Sequence, residues 1–322
     1  MDARVGIVIV NYRTADLVIA CVRSLCNETR QLPRARLALI DNASGDGSVE
    51  KIAAAIAAEG WSSWVSLLPL AENRGFSAGN NAGIRLLLQS PDPVDYLFLL
   101  NPDTVVRAAA LHALLDFAER HPRAGIVGSR LEEPGGAAEQ SLFRFPSAIG
   151  ELEQGLRLGL ATRLLSRWRV VVPQAKQACK ADWVTGASML IRREVLEHIG
   201  LFDEAYFLYF EEVDFCLRAA RAGWERWHEP RSRVVHLMGQ STGIVDQAVP
   251  SRRVPAYIFE SRRRYFLKNR GRLYAMLADV GWLAGHLLWM LRSCVTGGTK
   301  PVPARLLRDF LHHSVLYRGF SL

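Results

Sequence analysis

Asp103 stands just beyond the apolar run Tyr96 to Leu100, behind Asn101 and the turn-stiffening Pro102. A carboxylate offered at the end of a buried strand suits a hard divalent cation such as Mg2+ or Mn2+. The same residue type also caps helices, and a helix is expected to follow. A second acidic cluster, Glu211, Glu212 and Asp214, comes directly after the aromatic residues Phe207, Tyr209 and Phe210. Carboxylates that lose solvent beside aromatic rings hold their protons more tightly and can accept one from a hydroxyl near neutral pH. The electrostatic alternative is that acidic residues simply favour the start of a helix. Adjacent helical positions do not share a face, so these three are expected to point apart, with one of them as the base. His236 closes the run Arg233 to Val235 ahead of the segment MGQSTG. A histidine there serves either as a structural residue or as a second metal ligand beside Asp103.

Two polar loops complete the set. DNASGDG, from Asp41 and Asn42 through Ser44, Asp46 and Gly47, follows an apolar run; NRGFSAGNN carries Asn73, Arg74, Gly75, Phe76, Gly79 and Asn80. The first reads in isolation as an Asx-rich turn capping the next helix; the second supplies glycines for close backbone approach and amides for hydrogen bonds. Neither has the Gly-Lys-Ser/Thr spacing of a phosphate-binding P-loop.

The elements that must hold these residues alternate. Strand-like runs Val5 to Val10, Leu37 to Ile40, Trp64 to Leu70, Tyr96 to Leu100 and Gly125 to Ser129 are separated by helical stretches Ala15 to Leu25, Val49 to Ala58, Ala78 to Leu88 and Ala108 to Arg120. Such alternation predicts an α/β fold with a mostly parallel sheet between helices. Ligands of such sheets sit beyond the carboxyl ends of the strands, where Asn11, Asp41-Asn42, Glu72-Asn73 and Asn101-Pro102-Asp103 stand. The pattern loosens over 131–180 into an insertion or lid, resumes with WVTGASMLIR and a helix from about Glu211 to Ala222, and turns helical and Arg-rich after Val249.

Length and composition predict one large α/β domain with an appendage. With 49% hydrophobic and 22% charged residues, neither disorder nor a polytopic membrane protein is indicated. The net charge of +8 is unevenly placed: residues 251–322 carry 13 Lys plus Arg against 3 Asp plus Glu, while the first 250 carry 27 against 29. A nucleic-acid binder would not partition its charge this way, whereas a protein docking on anionic lipid could. Five cysteines without metal-ligand spacing read as reduced thiols, and the N-terminus lacks a signal-peptide pattern, so a cytoplasmic location is expected. Val280 to Leu291 is apolar for about twelve residues, too short to span a bilayer. Trp282 and Trp289, seven apart, are expected to share a face that lies in a head-group interface, the alternative being a helix packed on the core.

Taken in order, VGIVIVNY, DNASGDGS, NRGFSAGNN, LFLLNPDT, WVTGASMLIRREVLEHIGLFDE, FLYFEEVDFCLR and HLMGQSTG resemble glycosyltransferase family 2 in its rhamnosyltransferase-like branch, over about Val5 to Thr242. The resemblance implies a GT-A fold, a nucleoside-diphosphate sugar donor, a divalent metal, a saccharide or lipid-linked saccharide acceptor, and inversion by single displacement. By the same resemblance, Asn11, Asp41 and Asn80 hold the nucleoside, with Tyr12, Asn42, Asn73, Gly75, Phe76 and Asn101 around the nucleotide. Asp103 binds the metal with His236. Glu212 is the base within the group Glu211, Glu212 and Asp214, while Trp183, Thr185 and Gly186 shape the acceptor and donor-sugar pocket.

Two departures stand out. Asn101-Pro102-Asp103 replaces the family's Asp-x-Asp, and Glu211-Glu212 replaces its Glu-Asp pair. Residues 1–245 are expected as the catalytic domain, with a nucleotide half over 1–130, the insertion over 131–180 and an acceptor half over 180–245. Residues 246–322 are the basic helical region. Dependence on dTDP-rhamnose is the leading donor expectation; a nucleotidyltransferase and a non-catalytic nucleotide-sugar binder are the rivals.

Overall fold

The computed structural model describes residues 3–157, 163–237, 253–296 and 302–321. The MGQSTG segment lies outside the described residues. The strands, in chain order, are β1 (Val5–Asn11), β2 (Arg36–Asp41), β3 (Val65–Pro69), β4 (Tyr96–Leu100), β5 (Thr104–Val106), β6 (Ala124–Glu132), β7 (Cys179–Lys180), β8 (Ser188–Arg192) and β9 (Glu225–His236). The helices are α1 (Ala15–Thr29), α2 (Ser48–Ala58), α3 (Phe76–Leu88), α4 (Ala110–Arg120), α5 (Ala148–Leu156), α6 (Arg193–Ile199), α7 (Glu211–Arg221), α8 (Ala256–Arg270), α9 (Arg272–Thr296), α10 (Leu306–His313) and α11 (Val315–Arg318).

Chain contacts divide these elements into two units. The first comprises residues 1–143, 173–207 and 211–245; the second comprises 144–172, 208–210 and 246–322. The stretch 131–180 is therefore not one insertion: its ends join the first unit, and its middle, with α5, joins the C-terminal helices.

In the first unit the strand order is β3-β2-β1-β4-β8-β6-β9-β5, with β7 paired to β9. Strands β3, β2, β1 and β4 run parallel, and β8 is antiparallel to β4. Every residue of β1 is buried, as a parallel strand covered on both faces requires. Alternation divides its side chains between the two layers. Val5, Ile7 and Ile9 join α1 and α4 in the main core. Val8 and Val10 face α3, where Gly79 and Gly83, four apart, leave no side chain between helix and strand. A methyl group at Gly83 would lie 2.6 Å from Val8 Cγ1, so these glycines set how closely α3 sits on the sheet.

The parallel register brings Asn11 opposite Asp41 and Leu68 beside Ile40, so the ends of β1, β2, β3 and β4 share one rim. The antiparallel β8 begins at that rim, with Ser188 beside Leu100, which brings the preceding Trp183–Ala187 loop to it as well. Of the expected strand WVTGASMLIR, only Ser188–Arg192 is extended.

In the second unit α9 packs along α5. Gly281, Gly285 and Gly155 allow the backbones to approach so closely that a methyl group at Gly285 would come within 2.8 Å of the Leu156 nitrogen. Trp282 stacks on Phe310 at 3.9 Å between centroids, within a small core with Phe259 and Leu306. Beneath it, Arg262 donates to both Asp279 (2.6 Å) and Glu151 (2.9 Å), all three side chains being buried.

Candidate active site

Asn11 and Asp41 build the first part of the site. Both are buried at neighbouring strand ends, and Asn11 Nδ2 donates to Asp41 Oδ1 at 2.7 Å and to Ser44 Oγ at 3.1 Å. Asp41 in turn accepts the Ser44 hydroxyl and amide, which shapes the DNAS turn from within. The next residue, Tyr12, is part-exposed, with the Arg13 guanidinium 5.1 Å from its ring centre. Arg13 is fixed in turn by the Ser44 hydroxyl and carbonyl.

Asn42 spans to the second polar loop: its Nδ2 donates to Asn73 Oδ1 (2.9 Å) and to the Gly75 carbonyl (3.1 Å). Its Oδ1 is buried with no hydrogen-bond partner among the described residues, an acceptor available to a ligand N–H. Asn80 turns back onto its own helix at the Phe76 carbonyl and is buried there. The neighbouring Asn81, not singled out by its sequence context, bonds the Phe202 amide and carbonyl and Glu204. It clamps the loop after α6 to α3.

Gly75 has φ +92°, and a methyl group there would overlap the Phe207 backbone. The amide of Phe76 donates to the Phe207 carbonyl at 2.7 Å. The Phe76 ring also lies 3.4 Å from where a Gly186 side chain would begin. Gly75, Phe76, Gly186 and Phe207 therefore meet, joining the NRGF loop to the WVTGA loop. Trp183 stacks on Phe143 at 4.1 Å, which holds it from outside the loop, while Thr185 Oγ1 accepts the Ala187 amide within it.

Asp103 is 1% exposed, and its Oδ1 faces His236 Nε2 at 3.5 Å. Strand pairing sets that meeting, because β5 lies antiparallel to β9 with Thr104 opposite His236. The imidazole is held from its other side by Glu139, 3.0 Å from Nδ1. Burial alone would lower the His236 pKa, but the hydrogen bonds with Asp103 and Glu139 outweigh it and push it up to about 9. Glu139 belongs to the stretch read from sequence as insertion, and no local signal marks it.

Nearby, the Asn101 amide bonds the Ala187 carbonyl, while Asn101 Oδ1 is buried without a hydrogen-bond partner among the described residues. Two donors on one cation with bonds of about 2.1 Å sit about 3 Å apart in adjacent positions. Asp103 Oδ1 and His236 Nε2, 3.5 Å apart, come near that spacing, and a cation bound there would displace the Nε2 proton that the raised pKa keeps on the ring. The residues fit a cation that keeps several positions for water and phosphate. Among the described residues no group of three or more His, Cys, Asp and Glu could hold a metal ion alone.

Glu211 and Glu212 do not point apart. Their carboxyl groups hydrogen-bond to each other at the first turn of α7, where the chain enters through Tyr209 and Phe210, both at positive φ. Burial, then the neighbouring Glu212 charge, holds Glu211 well above the usual carboxylate range; burial pushes Glu212 up to about 7. Glu212 shares a helix face with Cys216, one turn on, whose thiol bonds the Val184 backbone. That face is turned to the WVTGA loop. Asp214 is committed differently: its oxygens accept from Arg218 Nε (2.9 Å) and Tyr206 (3.4 Å). Arg218 also donates to the carbonyls of Ile199 and Leu201. Contrary to its expected place among the catalytic carboxylates, Asp214 anchors α7 to the loop that precedes it.

Comparison with known proteins identifies the family and the fold. The model of "Glycosyl transferase family 2" matches residues 6–200. An N-acetylglucosaminyl-diphospho-decaprenol L-rhamnosyltransferase of Mycobacterium tuberculosis is 30% identical over 267 residues, covering 79% of each chain. The rhamnosyltransferase WbbL of Escherichia coli K12 is 25% identical over 50% of this chain and 60% of its own. Among solved structures, a mannosyltransferase from Pyrobaculum calidifontis in complex with GDP-Man and Mn2+ superposes with TM-score 0.59 at 15% identity, over 99% of this chain and 83% of that one. GalNAc-T7 with UDP, GalNAc and Mn2+ does so with TM-score 0.54 at 15% identity, over 73% and 44%. The expected GT-A fold is thus found, with a mixed sheet, flanking helices and a helical C-terminal part. The chain belongs to glycosyltransferase family 2, in its rhamnosyltransferase-like branch, and is a glycosyltransferase.

Proposed function

We propose that this glycosyltransferase moves L-rhamnose from dTDP-rhamnose, with inversion, to a hydroxyl of a polyprenyl-diphosphate-linked N-acetylglucosamine in cell-surface polysaccharide synthesis. The sugar and acceptor follow the name of the mycobacterial relative, which aligns over 79% of both chains. The chemistry rests on this chain's own residues.

Asn11, Asp41 and Ser44 hold the turn that receives the nucleoside, with Tyr12 beside it. Asn42 Oδ1 is placed to accept an N–H of the base, in a loop fixed by Asn73 and Gly75; Asn80 lies at the start of α3 against the same loop. Asp103 and His236, with Asn101 beside them, would hold Mg2+ or Mn2+, and Glu139 orients the imidazole. Such a cation supplies positive charge to the departing diphosphate.

Glu212 takes the proton from the acceptor hydroxyl as its oxygen bonds the anomeric carbon and the bond to the diphosphate oxygen breaks. Attack from the face opposite the leaving group inverts that carbon. Trp183, Thr185, Gly186 and Phe76 bound the space where sugar and acceptor meet. Glu211, protonated, keeps a hydrogen bond on its neighbour.

The observation that carries the mechanism is Glu212 held near pH 7 on the helix face turned to the WVTGA loop, since a base works best with a pKa near the operating pH. The test is transfer from a panel of nucleotide sugars to a soluble GlcNAc-diphospho-lipid analogue with Mn2+ or Mg2+. Turnover is expected with dTDP-rhamnose, and Glu212→Gln should abolish it while leaving donor binding intact. Equal turnover in that variant would remove Glu212 from its role, and turnover with a different donor alone would replace the sugar.

A further inference from the structure

Helix α9 is 25 residues long and holds an 18-residue stretch of mean hydropathy 1.2, so it is longer than the twelve apolar residues its sequence suggested and is long and apolar enough, by length and composition, to cross a membrane. Its two faces differ. The tryptophans expected to face a membrane are inside: Trp282 is 7% and Trp289 8% exposed, one stacked on Phe310 and the other on His286. The same inward face carries Asp279, paired with Arg262 and accepting the Val315 amide, and the glycines that seat α5.

The outward face is apolar throughout. Leu273, Leu277, Val280, Leu287, Leu288 and Leu291 are all about half exposed or more, reaching 72% at Leu273. Between Arg272 and Arg292 the only charged residue is the buried Asp279, so no charge interrupts this stripe. At 1.5 Å per residue it runs for about 27 Å. A contiguous exposed apolar surface rimmed by charged residues marks an interaction or membrane site.

We propose that this outward face of α9 seats the protein on an anionic lipid surface, the helix lying along the head-group boundary. Charge selects this occupant. Lys268, Arg270, Arg272 and Arg292 flank the stripe and are exposed, as are Arg305 and Arg308 in the same unit, and the only acidic residue of α9 is buried. Basic ends around an apolar stripe match a negatively charged membrane. Pairing two copies along the stripe would set arginine against arginine in either direction, with no exposed acid on the helix to answer it. Crossing the bilayer conflicts with the inward face, where removing α9 from α5 and α8 would strand the buried charges of Asp279, Arg262 and Glu151.

This goes beyond the transferase reading, and its test requires no turnover. The full chain is floated with vesicles of phosphatidylcholine with and without phosphatidylglycerol. Binding is expected only with the anionic lipid and should weaken with salt. Leu277→Glu/Leu288→Glu should weaken it at least about tenfold, because each leucine contributes by leaving water. Both positions are half exposed, so an unchanged melting temperature confirms that the fold survives. The proposal is overturned if the parent does not float with anionic vesicles or if the variant floats equally well. A parent that is dimeric in solution, dissociates in the variant and ignores vesicles would assign the face to a second copy instead.

Discussion

The Phe76 amide donates to the Phe207 carbonyl across a space that only a glycine at position 75 leaves open. That single bond ties the loop ahead of α3 to the loop that ends in Glu211 and Glu212, so donor-side and base-side segments are positioned together. Gly75→Ala is expected to lose at least about 2 kcal/mol of stability, since its φ of +92° lies where side chains are strained and the backbone it meets cannot swing away. Urea denaturation measures this. An unchanged midpoint would show that the two loops are not coupled through this contact.

Glu212 titrates near 7, and it accepts protons only when ionised. Transfer efficiency, kcat/KM, should therefore fall about tenfold per pH unit below 7. Glu211 remains protonated well above the usual range, so Glu211→Gln mimics its working form and should keep most activity and the same acid limb. Glu212→Gln should leave none. If Glu211→Gln is the inactive variant and Glu212→Gln is not, the two roles are exchanged.

The same pair makes a prediction about stability, with the sign set by the direction of the shifts. Folded-state pKa values raised above the unfolded value mean that the folded chain holds extra protons from about pH 4.5 upward. The Glu212 contribution is complete below the unfolded pKa and is lost as pH rises to about 7, while Glu211, raised well above its ordinary value, adds to the same trend. The melting temperature should decline as pH rises from about 4.5 to about 7, and Glu211→Gln should decline less. A parent and variant with parallel profiles would contradict this.

Glu139 contacts His236, not the cation position, and its carboxylate fixes the ring so that Nε2 faces Asp103. Glu139→Gln should weaken Mn2+-dependent donor binding by about ten- to a hundredfold, the usual cost of losing a partner behind a metal ligand. Binding of the donor without metal should change little. Thermal shift with dTDP-rhamnose, titrated with Mn2+, separates the two.

Much of this was legible because it is local. β4 occupies the residues its apolar run marked, and the polar residues after β1, β2 and β4 stand at one rim because parallel strands put their ends there. What escaped depends on distant partners. Glu139 meets His236 across 97 residues. β5 and β7 have three and two residues, too few for a period to show, and the charged ERWHEPRSR portion of β9 is extended where β6 and β7 pair with it. The Glu211–Glu212 interaction was not legible from the rule that adjacent helical positions do not share a face. The faces of α9 were misassigned for a different reason: a helix apolar on nearly every side carries no periodic signal for which side is buried.

Asp214 offers the sharpest separation of structure from catalysis, because it stands two residues from Glu212 in the acidic cluster yet is spent on Arg218 and Tyr206. Its side chain is fully buried while that of Arg218 is part-buried, and the guanidinium also fixes the carbonyls of Ile199 and Leu201. Removing one partner strands the other charge, so Asp214→Ala should destabilise the fold by roughly 3–5 kcal/mol. Asp214→Asn keeps the acceptor geometry with one oxygen fewer and should lose less. If Asp214 served as a proton acceptor, Asp214→Asn would remove the acid limb near pH 7 at nearly full stability. As an anchor, it should instead lower the denaturation midpoint while the folded fraction keeps the parent's pH profile. Measuring both quantities on the same protein preparation decides between the two roles.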